Sequence, residues 1–270
     1  MGSIRVGTSG WSYRGWHGDF YPADLPRREE LAYLSRRLTS VEVNGSFYAL
    51  QRPSSYRAWR EATPDDFVLA VKGGRFITHL KRLRDVEAPL ANFFASGVLA
   101  LGPQLGPVLW QLPESLRYDA ALLRDFYDLL PRTHAEAAAL AARHDDRLAE
   151  DRVVTSYEVE GAVRHVLEFR DPGFCTPAAL EQMREHGIGC VVADTGGKWP
   201  EADTVTSDAV HVRLHGSPRL YHSGYTPDAL DRWAERCRAW AREADVFVYF
   251  DNDAEGHAPH DAVGLLRRVT

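Results

Sequence analysis

Three ionisable side chains stand two residues apart in the segment 211–216, HVRLHG. That spacing puts His211, Arg213 and His215 on one face of a strand, with Val212 and Leu214 on the other. An ordinary half-buried strand turns its apolar residues to the core and its charges to water. Imidazoles and a guanidinium gathered on one face and ending at Gly216 are what a strand opening into a reactive site would carry. A solvated edge strand carries the same pattern, so the weight falls on whether other strands repeat it.

They do. Glu42 and Asn44 end the run 40–44, Lys72 ends 67–72, Gln111 ends 107–111, Glu168 and Arg170 end 165–170, Asp194 ends 189–194, and Asn252 ends 246–252. In most of these runs the polar residue shares a face with apolar ones that precede it. Glu42, Glu168 and Asp194 then oppose Lys72, Arg170 and Arg213, with His215 titratable beside them. Burying that many charges is costly unless they pair with one another or with a ligand.

Three uses fit those residue types. In the first, Glu168 or Glu42 is a general base and His215 an acid, while Lys72, Arg170 and Arg213 hold an anionic group of a small polar molecule. Carboxylates among cations stay ionised, which suits a base. Paired carboxylates also serve glycoside cleavage, with Trp11, Trp16 or Tyr48 stacking on a sugar. Asn44, Gln111, Asn252 and His79 complete this substrate-binding set. In the second use, Glu42, Glu168, Asp194, His215 and His79 bind a divalent metal for phosphoester hydrolysis, as in barrels resembling endonuclease IV. The neighbouring cations compete with a metal, and no close-spaced ligand motif is present, so no cofactor is the favoured expectation. In the third, aromatic loops and basic residues bind a nucleotide, nucleic-acid end or phosphorylated metabolite without transforming it. A Schiff base on Lys72 is a further option, disfavoured because lysines beside carboxylates are usually ion-paired. The alternative to all of these is an ion-pair network that merely closes the site. An enzyme with hydrolytic or general acid–base chemistry is the preferred expectation.

The elements that must position these residues alternate. Strand-like runs at 4–8, 40–44, 67–72, 107–111, 165–170, 189–194, 211–216 and 246–252 are interleaved with helical spacing at 31–38, 54–61, 120–130, 133–143, 177–187, 227–242 and 260–268, and Thr78 is placed as the N-cap of a lid or helix running on from Leu80. Eight β/α units in 270 residues fit a closed (β/α)8 TIM-like barrel of one domain, with an open doubly wound sheet as the alternative. A barrel packed inside and reactive only at its carboxyl mouth predicts the apolar-to-polar gradient along every strand. Residues 145–152 read as a surface excursion, and His134, His144 and His186 as solvated helix positions.

Composition narrows the setting. An apolar share of 44% with 26% charged residues is that of a soluble globular chain, and no apolar run approaches membrane-spanning length. The start MGSIRVGTSGW lacks signal-peptide character, so a cytoplasmic location is expected. Cys175, Cys190 and Cys237 suggest neither disulfides nor a zinc site and read as buried thiols, although Cys175 before a helix start is where a thiol pKa can fall. A formal charge of −6 argues against non-specific nucleic-acid binding. Gly73-Gly74 and Gly196-Gly197 lack the spacing of a phosphate loop and read as ordinary turns. The residues leave the oligomeric state open.

Seven segments closely resemble the domain of unknown function 72, or YecE-like, family: GTSGWSYRGWHGDFYP at 7–22, VEVNGSFY at 41–48, AVKGGRFITH at 70–79, GPVLWQLP at 106–113, LEFR at 167–170, VRLHG at 212–216 and YFDND at 249–253. They span nearly the whole chain in the family's order. The resemblance implies a TIM-like barrel and no particular reaction. Two departures stand out: Asp171-Pro172-Gly173-Phe174 replaces the usual His-Pro-Ser-Trp, and Asp251 stands where Asn is usual. Both are expected to leave the inner ring intact, with the fifth loop's role in question.

Overall fold

A computed structural model describes residues 2–270. Eight parallel strands close on themselves in sequence order: β1 (Ile4–Ser9), β2 (Ser40–Val43), β3 (Val68–Lys72), β4 (Leu105–Gln111), β5 (His165–Glu168), β6 (Ile188–Asp194), β7 (Ala209–Leu214) and β8 (Asp245–Phe250). Closure is made by β1 against β8, in register from Ile4 beside Val246 to Thr8 beside Phe250. The expected (β/α)8 barrel is therefore the observed one, and among the described residues the barrel sheet has no free edge.

Helices α1 (Glu30–Ser35), α2 (Gly45–Tyr48), α3 (Pro53–Glu61), α4 (Glu87–Ala95), α5 (Ala120–Asp128), α6 (His134–Ala141), α7 (Pro177–Glu185), α8 (Pro227–Trp240) and α9 (Ala258–Val269) form the outer layer. Several begin where sequence places a cap. Thr176 and Thr226 accept from the backbone N–H groups of Ala179 and Ala229, each with proline at the first helical position. Thr133 accepts from Glu136, and the Glu136 carboxylate returns to Arg132 N–H. The crossover from β6 to β7 runs without a helix. Thr78 is not an N-cap: it is buried inside a π-helical turn, Phe76–Leu80, that hangs over the barrel mouth, and the next α-helix begins only at Glu87.

Two apolar layers hold these elements together. Ala70, Leu109, Val166, Val191, Ala193, Ala209, Phe247 and Tyr249 fill the barrel, while a larger cluster including Val6, Val41, Trp110, Val192, Val212 and Phe250 joins the strands to the helices. Gly73 belongs to this packing. A Cβ there would fall 2.2 Å from the Trp110 ring, so the residue is fixed by the indole. His134 is buried behind Gly161 instead of facing solvent, because the first turn of α6 is tied to Gly161 by a backbone hydrogen bond. Among the described residues, no helix is long and apolar enough to cross a membrane.

Candidate active site

The carboxyl ends of the strands converge on one guanidinium. Arg213, on β7, is 2% exposed. Its Nη2 donates to Glu42 Oε1 at 2.9 Å and its Nε to Glu42 Oε2 at 3.1 Å, a bidentate pair across the barrel to β2. Its Nη1 donates to Glu168 Oε2 on β5 at 2.7 Å, and Nη2 also reaches Ser9 Oγ and Asp251 Oδ2, each at 3.2 Å. Below it, His211 Nε2 meets Glu42 Oε2 at 3.0 Å, and Ser9 Oγ donates to Glu42 Oε1 at 2.8 Å. Above it, His215 Nε2 accepts from Arg213 Nη1 at 3.4 Å. That leaves the imidazole hydrogen on Nδ1, which lies 2.9 Å from Asp251 Oδ2 but off the line of a hydrogen bond.

Burial alone would drive these groups neutral; pairing reverses it. Burial pushes the Glu168 carboxyl up, yet Arg213, His215, Lys72 and Arg170 together hold it down at about 2. Glu42 is likewise driven up by burial and held well below the ordinary range by Arg213 and by the His211 hydrogen bond. Both carboxylates are ionised and occupied, which leaves them poorly placed to take a proton from a substrate.

An open cavity of about 650 Å³ lies over this network, a size typical of small-molecule sites. Its lining includes Tyr13, Lys72, Arg75, His79, Tyr221 and Asp251. Asp251 is the one carboxylate in that lining. Lys72 and Arg75 have no carboxylate within 4 Å among the described residues, and the Lys72 ammonium sits 4.5 Å over the Phe47 ring. Burial and the Arg213 charge bring the Lys72 amine down to about 8. His79 is pushed below its ordinary range by burial and then by Lys72, Arg170 and Arg75, so the positive potential converges at that edge of the cavity.

Of the residues expected at the mouth, Glu42, Lys72, Glu168, Arg213 and His215 come together around the guanidinium, and Asn44, Tyr48, His79 and Gln111 line the cavity. Arg170 stacks its guanidinium 3.7 Å over Trp199 and stands 3.9 Å from Glu168. Trp11 packs edge-on against Trp59 beside a separate shallow groove, and buried Trp16 donates to Asp253.

Two residues are not in this set. Asp194 and Asn252 point outward, toward the helices. Asp194 accepts from Tyr225 Oη at 2.9 Å, and Asn252 Nδ2 donates to Asp261 and to Ser223 O. On β6 and β8 the inward residues are Val191 with Ala193 and Phe247 with Tyr249, one position out of step with the expected phase. That step carries Asp251 into the ring, so this departure from the family pattern does alter the inner ring. The other departure forms a brace. Asp171 accepts from Gly173 N and Tyr118 N and pairs with Arg117, while Phe174 stacks on Phe169 at 5.0 Å.

Ser9, Arg75, Tyr13, Phe47 and Tyr221 were not singled out by spacing. Ser9 at the end of β1 carried the one usable signal, because it closes a strand as Lys72 and Glu168 do. Cys175 does not have the lowered thiol its position suggested; burial and Asp171 raise it. The set weighed as metal ligands does not assemble either: Asp194 lies outside the barrel, and Arg213 stands between Glu42 and Glu168. Among the described residues no three His, Cys, Asp or Glu side chains converge as ligands.

Fold and site together define a parallel (β/α)8 barrel whose carboxyl mouth holds a buried ion network under an open polar cavity. Residues 5–270 match the family described as Protein of unknown function DUF72, and the chain belongs to that family. It is 29% identical over 296 residues to the UPF0759 protein YunF of Bacillus subtilis (strain 168), covering 97% of this chain and 93% of that protein. It is 32% identical over 129 residues to the UPF0759 protein YecE of Escherichia coli (strain K12), a match spanning 47% of this chain and 44% of that relative's length. A DUF72 family protein from Thermotoga maritima MSB8 has a crystal structure similar with a TM-score of 0.75 at 24% identity, over 98% of each chain. A D-psicose 3-epimerase from Clostridium cellulolyticum H10 is similar at 0.51 and 10% identity, which is a likeness of fold.

Proposed function

We propose that this barrel is an enzyme that holds a small polar anion at its mouth and carries out general acid–base chemistry on it, with Asp251 and His215 as the proton-transfer pair. The observation that carries the reading is the division of charge. Arg213 consumes Glu42 and Glu168, which leaves Lys72 and Arg75 facing an open cavity with no carboxylate within 4 Å among the described residues. A phosphate or carboxylate group supplies the missing negative charge there. Asp251 is the carboxylate on the cavity side, and its neighbour His215 returns the proton; a positioned pair of this kind is worth roughly 10²–10⁴-fold in rate. The same pair can activate water, so hydrolysis of an anionic, sugar-like substrate is one form of the reaction. Exposed Tyr48 and Leu80 at the rim add apolar contact for the substrate's remaining part.

Thermal unfolding with inorganic phosphate, glucose 6-phosphate and glucose tests the binding half of this reading. Both phosphates raise the melting temperature, glucose does not, and Arg75→Ala loses most of the rise. Equal responses to glucose and its phosphate, or no response to any of the three, would overturn it. Turnover is then followed as released phosphate or as solvent deuterium incorporated into substrate, and Asp251→Asn lowers either signal.

A further inference from the structure

We infer that Lys72 is a covalent nucleophile, forming an imine with an aldehyde or ketone whose anionic group is held at the Arg75 edge of the cavity. This rests on the anion-binding reading above and names its substrate class as an anionic carbonyl compound. Lys72 ends β3 on the inward face, is 7% exposed and lines the cavity, so the amine is presented at the cavity floor from a rigid strand. Its backbone carbonyl is tied down by Ser46 Oγ at 2.7 Å. A lysine serving only as a counter-ion would be expected to grip a carboxylate; this one has none within 4 Å among the described residues and meets the face of Phe47 instead. An apolar wall and a second cation nearby are the two conditions that free a lysine amine for attack. Here burial and Arg213 supply both, and an amine at about 8 is neutral near neutral pH about three hundredfold more often than an ordinary lysine. Asn44 Oδ1, buried without a donor, also lines the cavity and can accept a hydrogen bond from a hydroxyl formed there. Composition makes the residue more conspicuous. Only Lys72, Lys81 and Lys198 are lysine, every other member of the 32 basic Lys and Arg residues being arginine.

The step balances without a redox partner. The Lys72 nitrogen bonds to the carbonyl carbon, the C=O π pair moves to oxygen and takes a proton, and the nitrogen gives up one, yielding a carbinolamine. A second proton lets that hydroxyl leave as water while the nitrogen pair closes the C=N bond. Asp251, in the same cavity lining, is the carboxylate that would exchange those protons, with His215 buried 2.9 Å behind it.

Borohydride trapping decides the matter, using pyruvate and dihydroxyacetone phosphate as probes and peptide mass mapping as the readout. Reduced adduct is expected at Lys72 in large excess over Lys81 and Lys198, increasing as pH is raised through about 8, and absent in Lys72→Arg. The arginine variant keeps the cation, so it retains the melting-temperature rise given by phosphate while losing the adduct. A probe that stabilises the protein without adduct at Lys72 overturns the imine and leaves anion binding intact. Adduct spread equally over the three lysines overturns it as well. Neither stabilisation nor adduct with either probe overturns both readings.

Discussion

At the scale of single residues, the mouth contains a charge that the fold holds at a cost. The Lys72 amine falls from 10.5 in an ordinary lysine to about 8 here, first because of burial and then because of Arg213. Between those values the unfolded chain binds the proton and the folded one does not, so stability rises with pH through that window and the full cost, about 3 kcal/mol, applies below pH 8. Lys72→Met is therefore expected to be more stable than the parent at pH 7 in urea titrations, with the advantage shrinking as pH approaches 10. An unchanged difference across that range would show that the amine is not desolvated. Arg213 behaves oppositely. Arg213→Met strands two carboxylates that are at most 2% exposed. A loss of roughly 3–5 kcal/mol is expected in the same assay. Asp251→Asn is milder, because an amide still accepts from Arg213 and is the residue the family pattern leads one to expect. It should keep the fold while lowering turnover, read as released phosphate or as incorporated deuterium.

At the scale of elements, what could be read in advance depended on how each strand is buried. β7 was legible because His211, Arg213 and His215 break an apolar run in strict alternation. β3, β4 and β5 were legible because each ends in one polar residue on the face that turns inward. β6 and β8 are buried on both faces, so apolar residues alternate with apolar residues and no phase is encoded. Their terminal polar residues then misled, since Asp194 and Asn252 had partners outside the strands, Tyr225 in the loop after β7 and Asp261 on α9. The mouth loops were illegible for the same reason: Arg75 and Tyr221 reach the cavity only because the turns after β3 and β7 fold over it. β5 carries a prediction of its own. His165 is sandwiched between the barrel and the helices, with Nδ1 accepting from Trp110 Nε1 at 3.1 Å and Nε2 facing Pro131 O at 2.7 Å. A second proton would have to sit on Nδ1 against an N–H donor, and burial brings the imidazole down to about 3. Stability is then full above pH 6.5 and is lost as pH falls toward 3, the unfolded chain taking the proton first. His165→Gln is expected to lessen the fall of the urea midpoint between about pH 6.5 and 4.5, with the remainder carried by His79, His134 and His211, which burial also holds below their ordinary range. A midpoint falling as steeply as the parent's would place the acid sensitivity elsewhere.

At the scale of the whole molecule, closure couples regions that sequence separates by the full length of the chain. β1 is held by β8 on one side and β2 on the other, and α9 packs back over β1, so neither end can detach without opening the ring. The charged mouth sharpens this coupling, because Arg213 on β7 is bonded to β1, β2 and β5 at once. Removing β7 would expose two sheet edges and leave Glu42 and Glu168 without their counter-ion in the same event. The expected outcome is a single cooperative transition, in which far-ultraviolet circular dichroism and tryptophan fluorescence trace the same curve in guanidinium. The seven tryptophans make fluorescence a fair witness, since they run from Trp11 near the mouth to Trp240 at the end of α8. Curves that separate would mean that one part of the ring opens before the rest, and Arg213→Met would then be expected to widen the gap by loosening the mouth first.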